Sequence, residues 1–197
     1  MKLLLATQNP NKVIELKRLS HNQLDVISLK DLNIVEDVEE TGTSFEENAR
    51  LKALWAYQQT GLPCIADDSG LEITALNNEP GVYSARYLGV DTPYTIKNQI
   101  ILDRMQNQVD RSARFISVVC LVLGENDVHC FEGVMSGSID FEAKGSNGFG
   151  YDPIFLPENH RLTYAEMDLN TKNDLSHRGQ AFRKVIAYLE SRAEYEK

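Results

Sequence analysis

Two adjacent carboxylates, Asp67 and Asp68, close the apolar run Cys64-Ile65-Ala66 in the stretch "CIADDSGLEI". Asp is a poor strand former and neighbouring negative charges repel, so the pair needs a reason. Ser69-Gly70 adds turn chemistry, and the stretch reads as strand, tight corner, strand. A polar turn capping its own backbone would account for it taken alone. Successive strand side chains point to opposite faces. The two carboxylates are therefore expected to divide their roles, one facing a cleft and the other ordering the corner. Glu39, Glu40 and Glu47 precede them in the chain. That many hard oxygen donors suits Mg2+, which takes a few carboxylates and completes its shell with water and substrate phosphate.

Four further stretches carry chemistry-bearing types. In "ATQNPNK" a buried strand breaks into Thr7, Asn9 and Lys12 just before a helix. Such a turn aims backbone N–H groups and the positive helix end outward, where Thr7 and Asn9 can donate to phosphate oxygens and Lys12 supplies a point charge. It has no Walker glycines, and an Asn-Pro turn with a surface lysine is the plainer alternative. In "FEENARLK", Asn48 and Lys52 lie four apart on one helix face. In "GFGYDPIF" two glycines bracket Phe149, letting backbone approach a ligand and a ring lie on a purine face, although Tyr151 and Phe155 could equally be core. In "KNDLSHRGQAF", Ser176 reads as an N-cap. His177 and Arg178 then open a helix in its positive first turn, where cations are disfavoured and a bound anion or carbonyl would explain them.

The elements that must position these residues follow from periodicity. "KLLLAT" reads as a buried strand, "NKVIELKRLS" as a helix and "LDVISL" as a second strand, a βαβ opening. A long helix runs from about Ser44 to Gln59, with Thr43 and Glu46 as a capping box and Gly61 as its stop. A helix from Pro93 to about Asn107 follows, then two long strands paired around Glu125-Asn126-Asp127, and a terminal helix from near Ser176. We expect an α/β fold: a mixed, twisted β-sheet flanked by helices, in an elongated two-lobed single domain over residues 1–197 with a central cleft. The net charge of −9 argues against nucleic acid or an anionic membrane as partner. Cys64, Cys120 and Cys130 form no CxxC and are expected as reduced core thiols. "MKLLLATQNP" is too short an apolar run for a signal peptide or membrane span, and a cytoplasmic location is expected.

Read together and in order, "TQNPNK", "EETGTSFEENARLKA", "ADDSGLEI", "GVYSARY", "GFGYDPIF" and "SHRGQAF" resemble the inosine triphosphate pyrophosphatase family, which acts on deaminated purine nucleotides. The match spreads from Thr7 to Phe182. Ala143-Lys144 departs from the Pro-Arg of many members, with the charge retained. The resemblance implies hydrolysis of a purine nucleoside triphosphate between its α and β phosphates, Mg2+ as cofactor and a homodimer. It implies that Thr7 to Lys12 bind the triphosphate, that Glu40 and Asp68 are metal ligands with Asp68 as base, and that Ser69 contacts substrate. It also implies that Phe149, Gly150, Tyr151, Asp152, Lys172, His177 and Arg178 form the nucleoside pocket. Lys52 and Lys12 would neutralise the polyphosphate. Donors on His177 and Arg178 would accept a 6-oxo purine and face the amino group of adenine badly. A Maf-like pyrophosphatase is the nearest rival, opposed by "SHRG" and "GFGYDPIF". A non-enzymatic nucleotide sensor would have little use for Glu40 and Asp68.

Overall fold

The computed structural model of the chain describes residues 2–19, 24–36 and 38–195. Ser20, the last residue of the stretch read above as the first helix, and Asp37 lie outside the described residues. The strands are β1 (Lys2–Leu5), β2 (Asp25–Ser28), β3 (Cys64–Ile73), β4 (Glu79–Pro80), β5 (Ser112–Gly124), β6 (Asp127–Ile139) and β7 (Phe155–Pro157). The helices are α1 (Pro10–Leu19), α2 (Phe45–Thr60), α3 (Tyr94–Arg104), α4 (Leu169–Leu175) and α5 (His177–Tyr195). The sheet is mixed, in the order β2-β1-β3-β5-β6-β7 with β4 paired to β3. β1 runs parallel to both β2 and β3, while β4 pairs antiparallel with β3 and β7 antiparallel with β6. The α/β class and the βαβ opening are as expected.

The chain divides into two compact units. Unit one holds residues 1–68, 117–133 and 178–197; unit two holds 69–116 and 134–177. In unit one, Leu3, Leu5, Leu16, Ile65, Val119, Leu121, Phe182 and Val185 form one apolar cluster. β1 and the first part of β3 read as unbroken apolar runs because parallel strands are covered on both faces. In unit two, Leu71, Ile73, Ile101, Phe115, Tyr151, Phe155 and Tyr164 belong to a second cluster.

Local chemistry sets the boundaries. Ser44 caps α2, its side chain accepting from the Glu47 N–H at 3.2 Å, while the Glu47 carboxylate reaches back to the Thr43 N–H at 2.7 Å. The capping pair is thus Ser44 with Glu47, one residue later than the Thr43–Glu46 pair expected. Gly61 stops the helix at φ 65°. α3 starts after Pro93 and ends at Arg104, three residues short of the expected Asn107.

Two expectations are corrected, and one element is added. β3 runs on through Ser69-Gly70 as one strand, so there is no corner after Asp68; strand pairing on its flanks outweighs the turn tendency of Ser-Gly. Helix α4 stands in a stretch to which the sequence reading assigned no element. Asp168 caps it, its Oδ1 accepting from the N–H groups of Asn170 and Thr171, both at 3.0 Å. Cys120 and Cys130 are joined in a disulfide, with Cα atoms 4.0 Å apart, because the two long strands bring them together. Cys64 is the free, buried thiol.

Candidate functional site

In unit one, register does the positioning. Leu5 lies opposite Ile65, and the Ala6 N–H donates to the Ile65 carbonyl at 2.8 Å. Because β1 and β3 are parallel, β1 ends at Leu5 while β3 continues past Ile65, so the turn after Leu5 lies beside the stretch of β3 that carries Asp67 and Asp68. Thr7 Oγ1 accepts from the Asn9 N–H at 3.1 Å, and Asn9 Oδ1 accepts from the Asn11 N–H at 2.9 Å. These side chains shape the turn that opens α1, whose positive end faces outward.

Lys12, on the first turn of α1, ion-pairs with Asp67 Oδ1 at 2.9 Å. Arg178 donates from Nε to Asp67 Oδ2 at 3.2 Å and from Nη1 to Glu15 Oε2 at 2.7 Å. All of Glu15, Asp67 and Arg178 are buried. Burial alone would raise the Asp67 carboxyl, but Lys12, Arg178 and then Lys52 outweigh it and hold it well below the usual carboxylate range. Burial lowers the Lys12 ammonium, with Asp67 opposing. Asp67 is therefore a fixed anion.

Asp68 has a different environment. Lys52 Nζ stands 2.6 Å from Glu40 Oε1 and 3.6 Å from Asp68 Oδ1, so two carboxylates converge on one cation. Burial pushes the Asp68 carboxyl upward, Lys52 opposes it, and the negative Glu40 adds to the rise. Lys52 is raised in spite of burial, held up by Asp68, Asp67 and Glu40. Asn48 ties the loop to the strand: its Nδ2 donates to Asp68 Oδ2 at 3.1 Å and its Oδ1 accepts from the Gly42 N–H at 2.8 Å. A Cβ on Gly42 would lie 2.6 Å from that Oδ1, so the loop passes too close for any other residue. Neighbouring carboxylates driven in opposite directions mark a division between a permanent anion and a group that can exchange a proton.

Among the described residues there is no set of three or more His, Cys, Asp or Glu side chains arranged for a metal. Glu40 and Asp68 together still fit Mg2+, which is held by one or two carboxylates with substrate phosphates completing its shell. Both already face a cation, Lys52.

Unit two carries the remaining candidates. Gly148 and Gly150 adopt φ 73° and 70°, and between them Phe149 donates its N–H to Asp152 Oδ2 at 2.8 Å. Lys172, from α4, ion-pairs with the same oxygen at 2.7 Å and lies 5.0 Å from the Phe149 ring centroid. Tyr151 is buried and donates its hydroxyl to the Ser84 carbonyl at 2.7 Å, so it is a core strut of this loop. His177 stacks on Phe115, ring centroids 4.6 Å apart and 7° from parallel. Ser69 is half-buried in β3. A groove of about 540 Å³ in this unit, lined by Glu72, Arg114, Glu158 and His160 among others, contains none of the candidates.

Gly148→Ala is expected to destabilise the protein by about 1–3 kcal/mol and to raise KM. A Cβ there would collide with the Asp152 carboxylate and come within 3.3 Å of Lys172 Nζ, at a φ that L residues rarely adopt. Thermal denaturation and KM measured on the same preparation check both parts.

The structure thus gathers Lys12, Lys52, Glu40 and Asp68 with Thr7 and Asn9 in unit one, and Phe149, Gly150, Asp152, Lys172 and His177 in unit two. Arg178, read from sequence as part of the nucleoside pocket, has ion pairs from its guanidinium to Glu15 and Asp67. Sequence reasoning gave no role to Glu15. Its signal was a carboxylate three residues after Lys12 on one helix face, beside the buried Leu16.

Comparison with known proteins fixes the class. The Ham1 family profile matches residues 3–188, and the chain belongs to this family. The dITP/XTP pyrophosphatase of Christiangramia forsetii is 45% identical over 189 residues, covering 96% of this chain and 99% of that protein. The dITP/XTP pyrophosphatase of Flavobacterium johnsoniae is 43% identical, covering 96% and 98%. The structure of a HAM1 protein from Coxiella burnetii superposes with a TM-score of 0.89 at 42% identity, covering 97% of this chain and 99% of that one. The Staphylococcus aureus Ham1 protein gives 0.88 at 38% identity, covering 98% and 100%. The resemblance carried by the six motifs is borne out.

Proposed function

We propose that the protein is a nucleoside triphosphate pyrophosphohydrolase that converts deaminated purine nucleoside triphosphates to the monophosphate and pyrophosphate with the help of Mg2+. Its relatives of more than 40% identity carry the name dITP/XTP pyrophosphatase. The observation in this chain that best supports the reading is the convergence of Glu40 and Asp68 on one cation beside a phosphate-type turn.

Cleaving a phosphoanhydride calls for charge neutralisation and an aimed water more than for covalent catalysis. Thr7 Oγ1 already accepts from Asn9, which leaves its proton to donate to a phosphate oxygen. The α1 N-terminus and Lys12 add positive potential. Lys52 holds Glu40 and Asp68 together and offsets triphosphate charge. Bound Mg2+ would supply further neutralisation, with Glu40 and Asp68 as its protein ligands. Asp68, raised by burial, holds the attacking water and takes its proton, and oxygen from that water joins the α-phosphorus as pyrophosphate leaves. In the nucleoside half, Phe149 offers a ring for stacking, while Asp152 and Lys172 give paired acceptor and donor groups for the base edge.

The test is a panel of ITP, dITP, XTP, GTP and ATP, assayed for pyrophosphate and monophosphate with and without Mg2+. The expected result is pyrophosphate from ITP, dITP and XTP that depends on Mg2+, with ATP slower by about 10²-fold. Orthophosphate as the first product, or equal rates on ATP and ITP, would overturn the assignment.

A further inference from the structure

Helix α3 contributes a residue that neither the motifs nor the proposed mechanism uses. Asn98 is 4% exposed, and its Nδ2 donates to the Gly150 carbonyl at 3.1 Å. Its Oδ1 is buried and accepts no hydrogen bond among the described residues. A buried amide with an unsatisfied acceptor costs stability, and an apolar residue of the same shape would avoid that cost. Fold stability therefore does not explain Asn98. The single bond it makes falls on the residue between Phe149 and Tyr151, at the turn where Gly150 has φ 70°. The surroundings reinforce the same loop. Tyr94, at the start of α3, meets the Tyr151 ring edge-on at 5.2 Å, and the Tyr151 hydroxyl is held by the Ser84 carbonyl. The adjoining Lys97, fully buried, donates to the Ala85 carbonyl at 2.8 Å and so fixes the segment that holds Tyr151.

We infer that Asn98 is a positioning residue for nucleoside recognition, clamping the Gly150 carbonyl so that the Phe149 ring is presented in one orientation to a purine base. The inference rests on the reading of Phe149 as the platform for the base. Asn98 itself touches no reacting atom. Its loss acts on binding, through the free energy of ordering the loop, and leaves the hydrolytic step alone.

The experiment compares the wild-type protein with Asn98→Leu, which keeps the shape and removes both polar groups, and with Phe149→Ala. The readouts are backbone hydrogen exchange over residues 148–152, Tm, and kcat and KM for ITP with Mg2+. For Asn98→Leu the expected result is roughly tenfold faster exchange in that segment, roughly fivefold to tenfold higher KM, kcat nearly unchanged and Tm not lowered. Unchanged exchange together with unchanged KM overturns the inference. So does a lowered Tm with exchange raised evenly across unit two, since that is the mark of a general structural role. If exchange rises at 148–152 while neither Asn98→Leu nor Phe149→Ala moves KM, the clamp stands and the assignment of the loop to the base falls. Should Asn98→Leu fail to fold, Asn98→Asp, which places a carboxylate against the Gly150 carbonyl, is read in the same way.

Discussion

Asp68→Asn is expected to lower kcat by about 10²-fold or more without lowering thermal stability. The amide has the size of the carboxylate, and Lys52 keeps Glu40 at 2.6 Å after the change. What disappears is the proposed base for the attacking water, together with one proposed metal contact. Stability should hold because burial already disfavours charge on Asp68. A carboxyl raised by folding favours the folded state when protonated and loses that advantage as pH rises through its unfolded and then its folded value, so a neutral amide sacrifices nothing at pH 7. The pH profile separates a base from a mere ligand. Wild-type kcat/KM should fall as pH drops through the raised value of Asp68, which lies above its ordinary 3.8. The residual activity of the variant should lack this acid limb. An unchanged limb in the variant would remove Asp68 from the role of base.

The neighbouring carboxylate should give the opposite phenotype. Asp67→Asn is expected to cost about 3 kcal/mol of stability and to reduce kcat less than Asp68→Asn does. Asp67 is 1% exposed and carries ion pairs to both Lys12 and Arg178, so neutralising it leaves buried positive charge uncompensated. The figure sits at the low end of the range for breaking a buried pair because Arg178 keeps Glu15 at 2.7 Å. The sign with pH is fixed by the depressed folded value. The contribution of Asp67 is fully present above its unfolded value of about 3.9 and is lost as pH falls from there through the folded value. Urea denaturation should therefore show a constant gap between wild type and variant from pH 5 to 8 that closes below about pH 4. A gap that persists at low pH would show that the loss is steric.

The turn between β1 and α1 was legible because a buried strand breaking into Thr7, Asn9 and Lys12 leaves few local options. The loop around Phe149 was legible because Gly148 and Gly150 announce unusual backbone angles. Local signals failed where long-range pairing decides. Ser69-Gly70 has turn chemistry, yet β3 runs straight through it. Arg178 heads α5 as expected, but nothing in its neighbourhood says which carboxylates its guanidinium will meet; Glu15 is 163 positions away in sequence. The pairing of Cys120 with Cys130 depends in the same way on the register of two strands rather than on cysteine spacing. Lys172 was recognised by motif, whereas its seven-residue helix α4 is too short to announce itself by periodicity.

Cys64 has a practical consequence. Its thiol is fully buried in β3, donates to the Ala53 carbonyl of α2 at 2.9 Å, and is pushed up to about 12 by burial. Only the thiolate attacks an alkylating reagent. In the folded protein at neutral pH this sulfur is thus both shielded and protonated. Labelling must wait until α2 lifts from the strand, so its rate measures the population of that opened state. With Cys120 and Cys130 bonded to each other, Cys64 is the free cysteine among the described residues, and iodoacetamide needs no engineered handle. The protein carries its own clock for the opening of the unit that holds Asp67 and Asp68. Asp67→Asn should make that clock run faster, and Asp68→Asn should leave its pace unchanged.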